Sequence, residues 1–163
     1  AAGQQPDDLI PDDTTELDNI AIVGALKFTG TEEIDAISGG SLTNVTGTEL
    51  AGYSNAGDGM TMVAPTDSQS IDANGTVSSF GGTSCASPNL AGAAALVWSE
   101  NLALTGVEVK DIITTSAMDL GDPGTDDTYG AGTVNIDSAV HRAHALSVDN
   151  ELASLYNNTD FLA

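Results

Sequence analysis

Apolar residues in this 163-residue chain come in short runs, separated by long stretches of Gly, Thr, Ser, Asn and Asp. Ile20 to Leu26 is the first run, and its β-branched residues predict a buried strand. Met60 to Ala64 is a second run, stopped by Pro65, and Thr76 to Phe80 predicts a further short strand. Residues 4–18 are rich in Asp, Pro and Thr and have no periodicity, so they read as loop. Gly30 to Gly57 carries weak strand signals only, and Thr66 to Gly82 is otherwise loop-like.

The pattern changes at Ser84. From there to Glu100 the chain is built of Ala, Leu, Val and Trp without a β-branched run, which predicts a long helix. Apolar positions go nearly all the way round it, as in a helix enclosed by its domain. Pro88 falls early, where a missing N–H costs least. Thr105 is placed to cap a second helix, Val107 to Ala117, with Glu108 three residues on as in a capping box. Gly121 to Gly132 is turn-rich and Gly132 to Ile136 predicts a short strand. Asp137 reads as the cap of a last helix, Ser138 to Leu146, and residues 147–163 form a polar tail with a weak amphipathic pattern. Short buried strands mixed with alanine-rich helices predict α/β layers, and the length fits one domain.

Charge and cysteine content narrow the function. Three Lys and Arg stand against 24 Asp and Glu, a net charge of −21. The chain therefore lacks the cationic surface of a nucleic-acid binder and is a poor partner for an anionic membrane. No apolar run approaches the ~20 residues of a membrane span. The single Cys85 excludes an internal disulfide framework and paired-cysteine zinc sites. No signal peptide is expected at the start of the sequence as given. The acidity suits either a solvated surface or a high-salt extracellular setting. Two acidic bunches, Asp7, Asp8, Asp12 and Asp13, and Asp122, Asp126 and Asp127, do not follow the spacing of an EF-hand, so no calcium ligand set is assigned.

Candidate chemistry concentrates in Gly81-Gly82-Thr83-Ser84-Cys85-Ala86-Ser87-Pro88-Asn89-Leu90-Ala91-Gly92. A serine at the first turn of a helix, preceded by glycines, meets unpaired N–H groups and the positive end of the helix dipole. Those features suit a nucleophile whose intermediate carries an oxyanion. They equally suit a serine that only caps a helix.

The whole string resembles the nucleophile motif of the subtilisin-like serine peptidases, the subtilases. Tyr53-Ser54-Asn55-Ala56-Gly57 followed by Val63-Ala64-Pro65 is similar to their "FSN.G … VAPG" passage. Ile20 to Leu26 resembles their "VIAVGAV" strand, and Tyr129-Gly130-Ala131-Gly132-Thr133-Val134-Asn135 their "YGxGxVN" turn. The likeness covers about residues 1–146. It implies the C-terminal part of a catalytic domain, a three-layer αβα sandwich with a parallel sheet. It further implies an extracytoplasmic endopeptidase that cleaves polypeptides through an acyl-enzyme on Ser84, made with a propeptide and often stabilised by calcium. Ala1-Ala2-Gly3-Gln4 resembles the family's "AAGN" segment. The resemblance thus implies Ala2 and Gly3 at the substrate pocket and Gln4 in the place of the oxyanion-binding Asn. Gln ends in the same NH₂ donor but is one methylene longer. Cys85, where many subtilases carry Met, reads as a small buried apolar residue, and Asn89 replaces a histidine outside the catalytic triad.

A subtilase triad runs Asp, His, Ser along the chain. Both histidines here, His141 and His144, follow Ser84 and read as surface residues of the last helix. The base and its orienting acid are therefore expected on an upstream segment, and the missing N-terminal half of the domain is an expected partner, as a separate chain where the domain is nicked. By itself the 163-residue chain is expected to be inactive and, with sheet edges open, to fold poorly. Two other readings stand beside this one. One is a degenerate subtilase domain that binds peptides without cleaving them; the other is an unrelated acidic structural or calcium-binding module.

Overall fold

The computed structural model describes residues 20–29 and 47–157. Its elements run β1 (Val23–Phe28), β2 (Thr48–Leu50), β3 (Met62–Pro65), β4 (Ser68–Ile71), β5 (Val77–Phe80), α1 (Thr83–Glu100), α2 (Gly106–Thr115) and α3 (Ile136–Asn157). Strands β2, β1 and β3 form one sheet in that order, and β4 and β5 form a separate hairpin. β1 and β3 are parallel, with Val23 beside Met62 and Ala25 beside Ala64. β2 joins the other edge of β1 antiparallel, so the sheet is mixed rather than wholly parallel. That pairing needs no helical crossover.

Strand alternation explains the core. Val23, Ala25, Met62 and Ala64 share one face and pack with Ala86, Leu90 and Val97 of α1. Leu26 and Val63 point to the opposite face and are fully buried as well. Both faces being covered accounts for apolar runs that do not alternate. α2 adds Val109, Ile112 and Ile113 to the core, and α3 adds Ala139 and Ala143. α1 thus touches the sheet and both other helices. Small side chains along it permit that closeness.

Several elements differ from their sequence expectation, each for a local reason. The first strand begins at Val23, because the Ile22 N–H donates to the Thr61 hydroxyl (2.9 Å) rather than to a strand. Gly132 to Ile136 is not a strand: Thr133 makes single bridges to Val63 and Met118. Gly132 has φ 99°, and a side chain there would run into the Met118 carbonyl. Asn135, not Asp137, caps α3, its Oδ1 accepting the Ser138 N–H at 3.1 Å. That helix continues past Leu146 to Asn157, since no Gly or Pro interrupts the sequence between them. β4, with the sequence Ser-Gln-Ser-Ile, has no apolar alternation and was not foreseeable as a strand. α1 is not enclosed all round among the described residues: Ala86, Leu90, Ala93 and Val97 form its buried stripe, while Leu96 and Trp98 are exposed.

The capping box at α2 matches its expectation. Thr105 Oγ1 accepts the Glu108 N–H, and Glu108 Oε2 accepts the Thr105 N–H at 2.7 Å. The Thr105 backbone N–H, and then its hydroxyl, hold the Glu108 carboxyl below its ordinary pKa. A depressed folded value means stabilisation that is present above the ordinary carboxylate range and lost as pH falls through the lowered one. Thr105→Ala is expected to cost about 1 kcal/mol in urea denaturation at neutral pH. In the same measurement repeated toward acid, Glu108→Gln is expected to flatten the decline in stability.

Candidate active site

α1 begins in an unusual way. Gly82 is its N-cap with φ 86° and ψ 172°, and no side chain caps the helix. This backbone region is essentially restricted to glycine. Thr83 is buried, whereas Ser84 beside it is exposed. The reading of Ser84 as a mere cap is therefore wrong here. Its backbone N–H lies in the first turn, where no intrahelical acceptor exists, and its side chain faces outward at the positive end of an 18-residue helix. Such a site can stabilise negative charge next to an accessible hydroxyl.

The turn before Ser84 is tied to the sheet. Thr66 follows β3, and its N–H donates to the Leu26 carbonyl of β1 at 3.0 Å. The Thr66 hydroxyl donates to the Gly82 carbonyl at 3.1 Å and lies 3.1 Å from the Tyr53 hydroxyl. The Gly82 N–H in turn donates to Tyr53 Oη at 3.2 Å. Nearly two turns into α1, Asn89 Nδ2 donates to the Pro65 carbonyl (2.9 Å) and to Ser68 Oγ (3.0 Å), and lies 3.6 Å from Cys85 Sγ. Asn89 thus pins the helix to the end of β3, and Cys85 is a buried thiol packed beneath it, as its sequence reading holds. Thr66 and Ser68 carry no sequence signal; only the fold brings them to the helix.

The histidines lie elsewhere. His144 Nδ1 is 2.6 Å from Glu100 Oε1, at the last residue of α1. With 1.5 Å of rise per residue, that places it about 24 Å along the helix from Ser84. His141 contacts Asp137, one turn back on α3, and both rings are exposed. Neither is in reach of the Ser84 hydroxyl as a proton acceptor.

The acidic loop before α3 is a staple. Asp126 accepts N–H groups of Tyr129 (2.8 Å), Thr128 (2.7 Å) and Asp122 (3.1 Å). The Tyr129 N–H above all keeps its carboxyl below its ordinary pKa. Both carboxylate oxygens of Asp126 are thus committed to backbone N–H groups, and among the described residues there is no group of three His, Cys, Asp or Glu side chains placed to hold a metal ion. Asp7, Asp8, Asp12 and Asp13 lie outside the described residues, as do Ala2, Gly3 and Gln4. On the other side of α1, a cavity of about 320 Å³ opens between Ala91, Ala94 and Trp98 of that helix, Val109 and Ile113 of α2, and Val23 of β1.

Comparison with known proteins identifies the family and the fold. The pattern of the subtilase family matches residues 2–132. The chain belongs to that family. Subtilisin BL of Lederbergia lenta is 38% identical over 90 residues, which cover 55% of this subtilase chain and 32% of the relative. Subtilisin of Bacillus pumilus is 37% identical over 92 residues, covering 56% and 32%. The chain matches only about a third of the length of these relatives. Among solved structures, fervidolysin from Fervidobacterium pennivorans superposes with a TM-score of 0.57 at 22% identity, over 76% of this chain and 19% of that one. MycP1 from Mycobacterium smegmatis gives 0.54 at 22% identity, over 74% and 29%. The fold is therefore α/β and subtilisin-like.

The conformation of Gly82 yields a direct test on this subtilase. A Cβ at this position would meet only the Ser84 backbone N, at 3.7 Å, so the penalty for Gly82→Ala is conformational rather than steric. The substitution is expected to cost about 1–3 kcal/mol in urea denaturation.

Proposed function

We propose that this chain is the nucleophile-bearing part of a serine endopeptidase, with Ser84 forming the acyl-enzyme on polypeptide substrates. The observation that carries the reading is the exposed, uncapped Ser84 at the amino end of α1. Its hydroxyl attacks the scissile carbonyl, and its own N–H receives the developing oxyanion. Gln4 supplies the second donor to that oxyanion, and Ala2 and Gly3 flank the substrate side chain. An upstream segment provides the His that takes the proton and the Asp that orients it. Two features support that division: no histidine precedes Ser84 in the sequence, and α1 leaves Leu96 and Trp98 exposed, as a helix awaiting another layer would. The enzyme works outside the cytoplasm, where its surplus of acidic groups keeps it soluble.

Labelling, peptide hydrolysis and a Gln4 variant test this. Full-length protein is expected to be labelled by a fluorophosphonate at Ser84 and to lose labelling in Ser84→Ala; an unlabelled Ser84 in folded full-length protein overturns the reading. Peptide binding without labelling would favour the degenerate, non-cleaving alternative. The purified 163-residue chain alone is expected to hydrolyse no chromogenic peptide. Activity in that chain, lost in Ser84→Ala, would show that no upstream base is needed. Gln4→Ala in the full-length enzyme is expected to lower kcat by about 10²–10³, the loss found when a subtilisin loses its side-chain oxyanion donor.

A further inference from the structure

The two hydroxyls beside Gly82 form a closed circuit. Thr66 carries one hydroxyl proton, and the Gly82 carbonyl, which can only accept, takes it. The contact between Thr66 Oγ1 and Tyr53 Oη must then use the phenolic proton, so Tyr53 donates to Thr66. Tyr53 Oη in turn accepts the Gly82 N–H. The ring runs Gly82 N–H to Tyr53 O–H to Thr66 O–H to Gly82 C=O, and every donor is assigned by elimination. Both polar groups of one residue are held by one pair of side chains, and that residue has the glycine-restricted conformation that starts α1. The same Gly82 carbonyl accepts the Cys85 and Ala86 N–H groups, so the circuit continues into the first turn, where Ser84 sits. Hydrogen bonds linked in this way polarise one another.

These two positions also depart together from the subtilase passage. Where that passage reads Phe and, after Val-Ala-Pro, Gly, this chain has Tyr53 and Thr66. The two hydroxyl groups added relative to the passage meet each other. Thr66 is buried and anchored to β1, while Tyr53 is half exposed and closes the ring from outside.

We propose that Tyr53 and Thr66 are positioning residues that hold the Gly82 peptide, and through it Ser84, in the attacking orientation. The proposal rests on Ser84 being the nucleophile. Small displacements of reacting groups cost up to about 10²-fold in rate, so loosening this turn acts on kcat rather than on substrate binding. The test is the rate of fluorophosphonate labelling of Ser84 in full-length protein, together with kcat and KM on a peptide substrate and the melting temperature. Tyr53→Phe and Thr66→Val are each expected to slow labelling and kcat about tenfold, with KM unchanged. The double variant is expected to fall short of the roughly hundredfold loss that two independent tenfold effects would give, because the two hydroxyls act through one ring. Thr66→Ser, which keeps the hydroxyl, is expected to restore the rate. Should Thr66→Val fail to fold, the half-exposed Tyr53→Phe and the Thr66→Ser rescue carry the test. Variants labelled as fast as the wild type overturn the proposal while leaving Ser84 a nucleophile. Rate losses that follow the melting temperature, or appear in KM, overturn it equally. An unlabelled wild-type protein instead removes the peptidase reading beneath it.

Discussion

The structure depends on how one helix begins. Gly82 takes a conformation that residues with side chains avoid, and this lets the chain leave the β5 hairpin and enter α1 in a single step. Because no side chain caps that end, the first N–H groups stay available and Ser84 stands in the open at the positive end of the dipole. An ordinary cap would have satisfied those groups at the expense of the site. The helix is held by ties from the sheet instead: Thr66 and Tyr53 on the Gly82 peptide, and Asn89 on the Pro65 carbonyl.

Packing around α1 follows from the same arrangement. The helix lies against β1 and β3 and also touches α2 and α3, so its contact positions must be small or slender: Ala86, Leu90, Ala93 and Val97. That close packing fixes the height and direction of the helix relative to the end of β3, next to which the Thr66 hydroxyl lies. Contact is not complete everywhere: Ala91, Ala94 and Trp98 border a cavity shared with α2 and β1, and Leu96 is exposed.

Several of the described acidic residues have structural duties. Asp72 and Asp126 each accept backbone N–H groups inside their own turns, and Glu108 closes the box at α2. These bonds favour the ionised forms: the Thr76 N–H leads for Asp72, and the Tyr129 N–H for Asp126. With few cations available for ion pairs, the chain uses its carboxylates against its own amides, which lets many negative charges share one small surface.

Local chemistry was legible in the residues themselves. The glycine turn before Ser84, the capping box at Thr105 and the buried strands around Ala25 and Val63 all follow from backbone preferences acting over a few residues, and those preferences are written in residue type and spacing. β4 was hidden because Ser68, Gln69 and Ser70 have no apolar face, and only pairing with β5 makes them a strand. The cap of α3 lies two residues before its sequence expectation because Asn135 and Asp137 are both good caps, and only the path of the chain past Met118 and Val63 selects the first. The ring at Gly82 joins residues 13 to 29 positions apart that no local rule connects. Sequence alone determined that a serine would open an alanine-rich helix. Only the tertiary structure decided that this serine is uncovered and which hydroxyls hold its turn, because both depend on groups brought together by strand pairing.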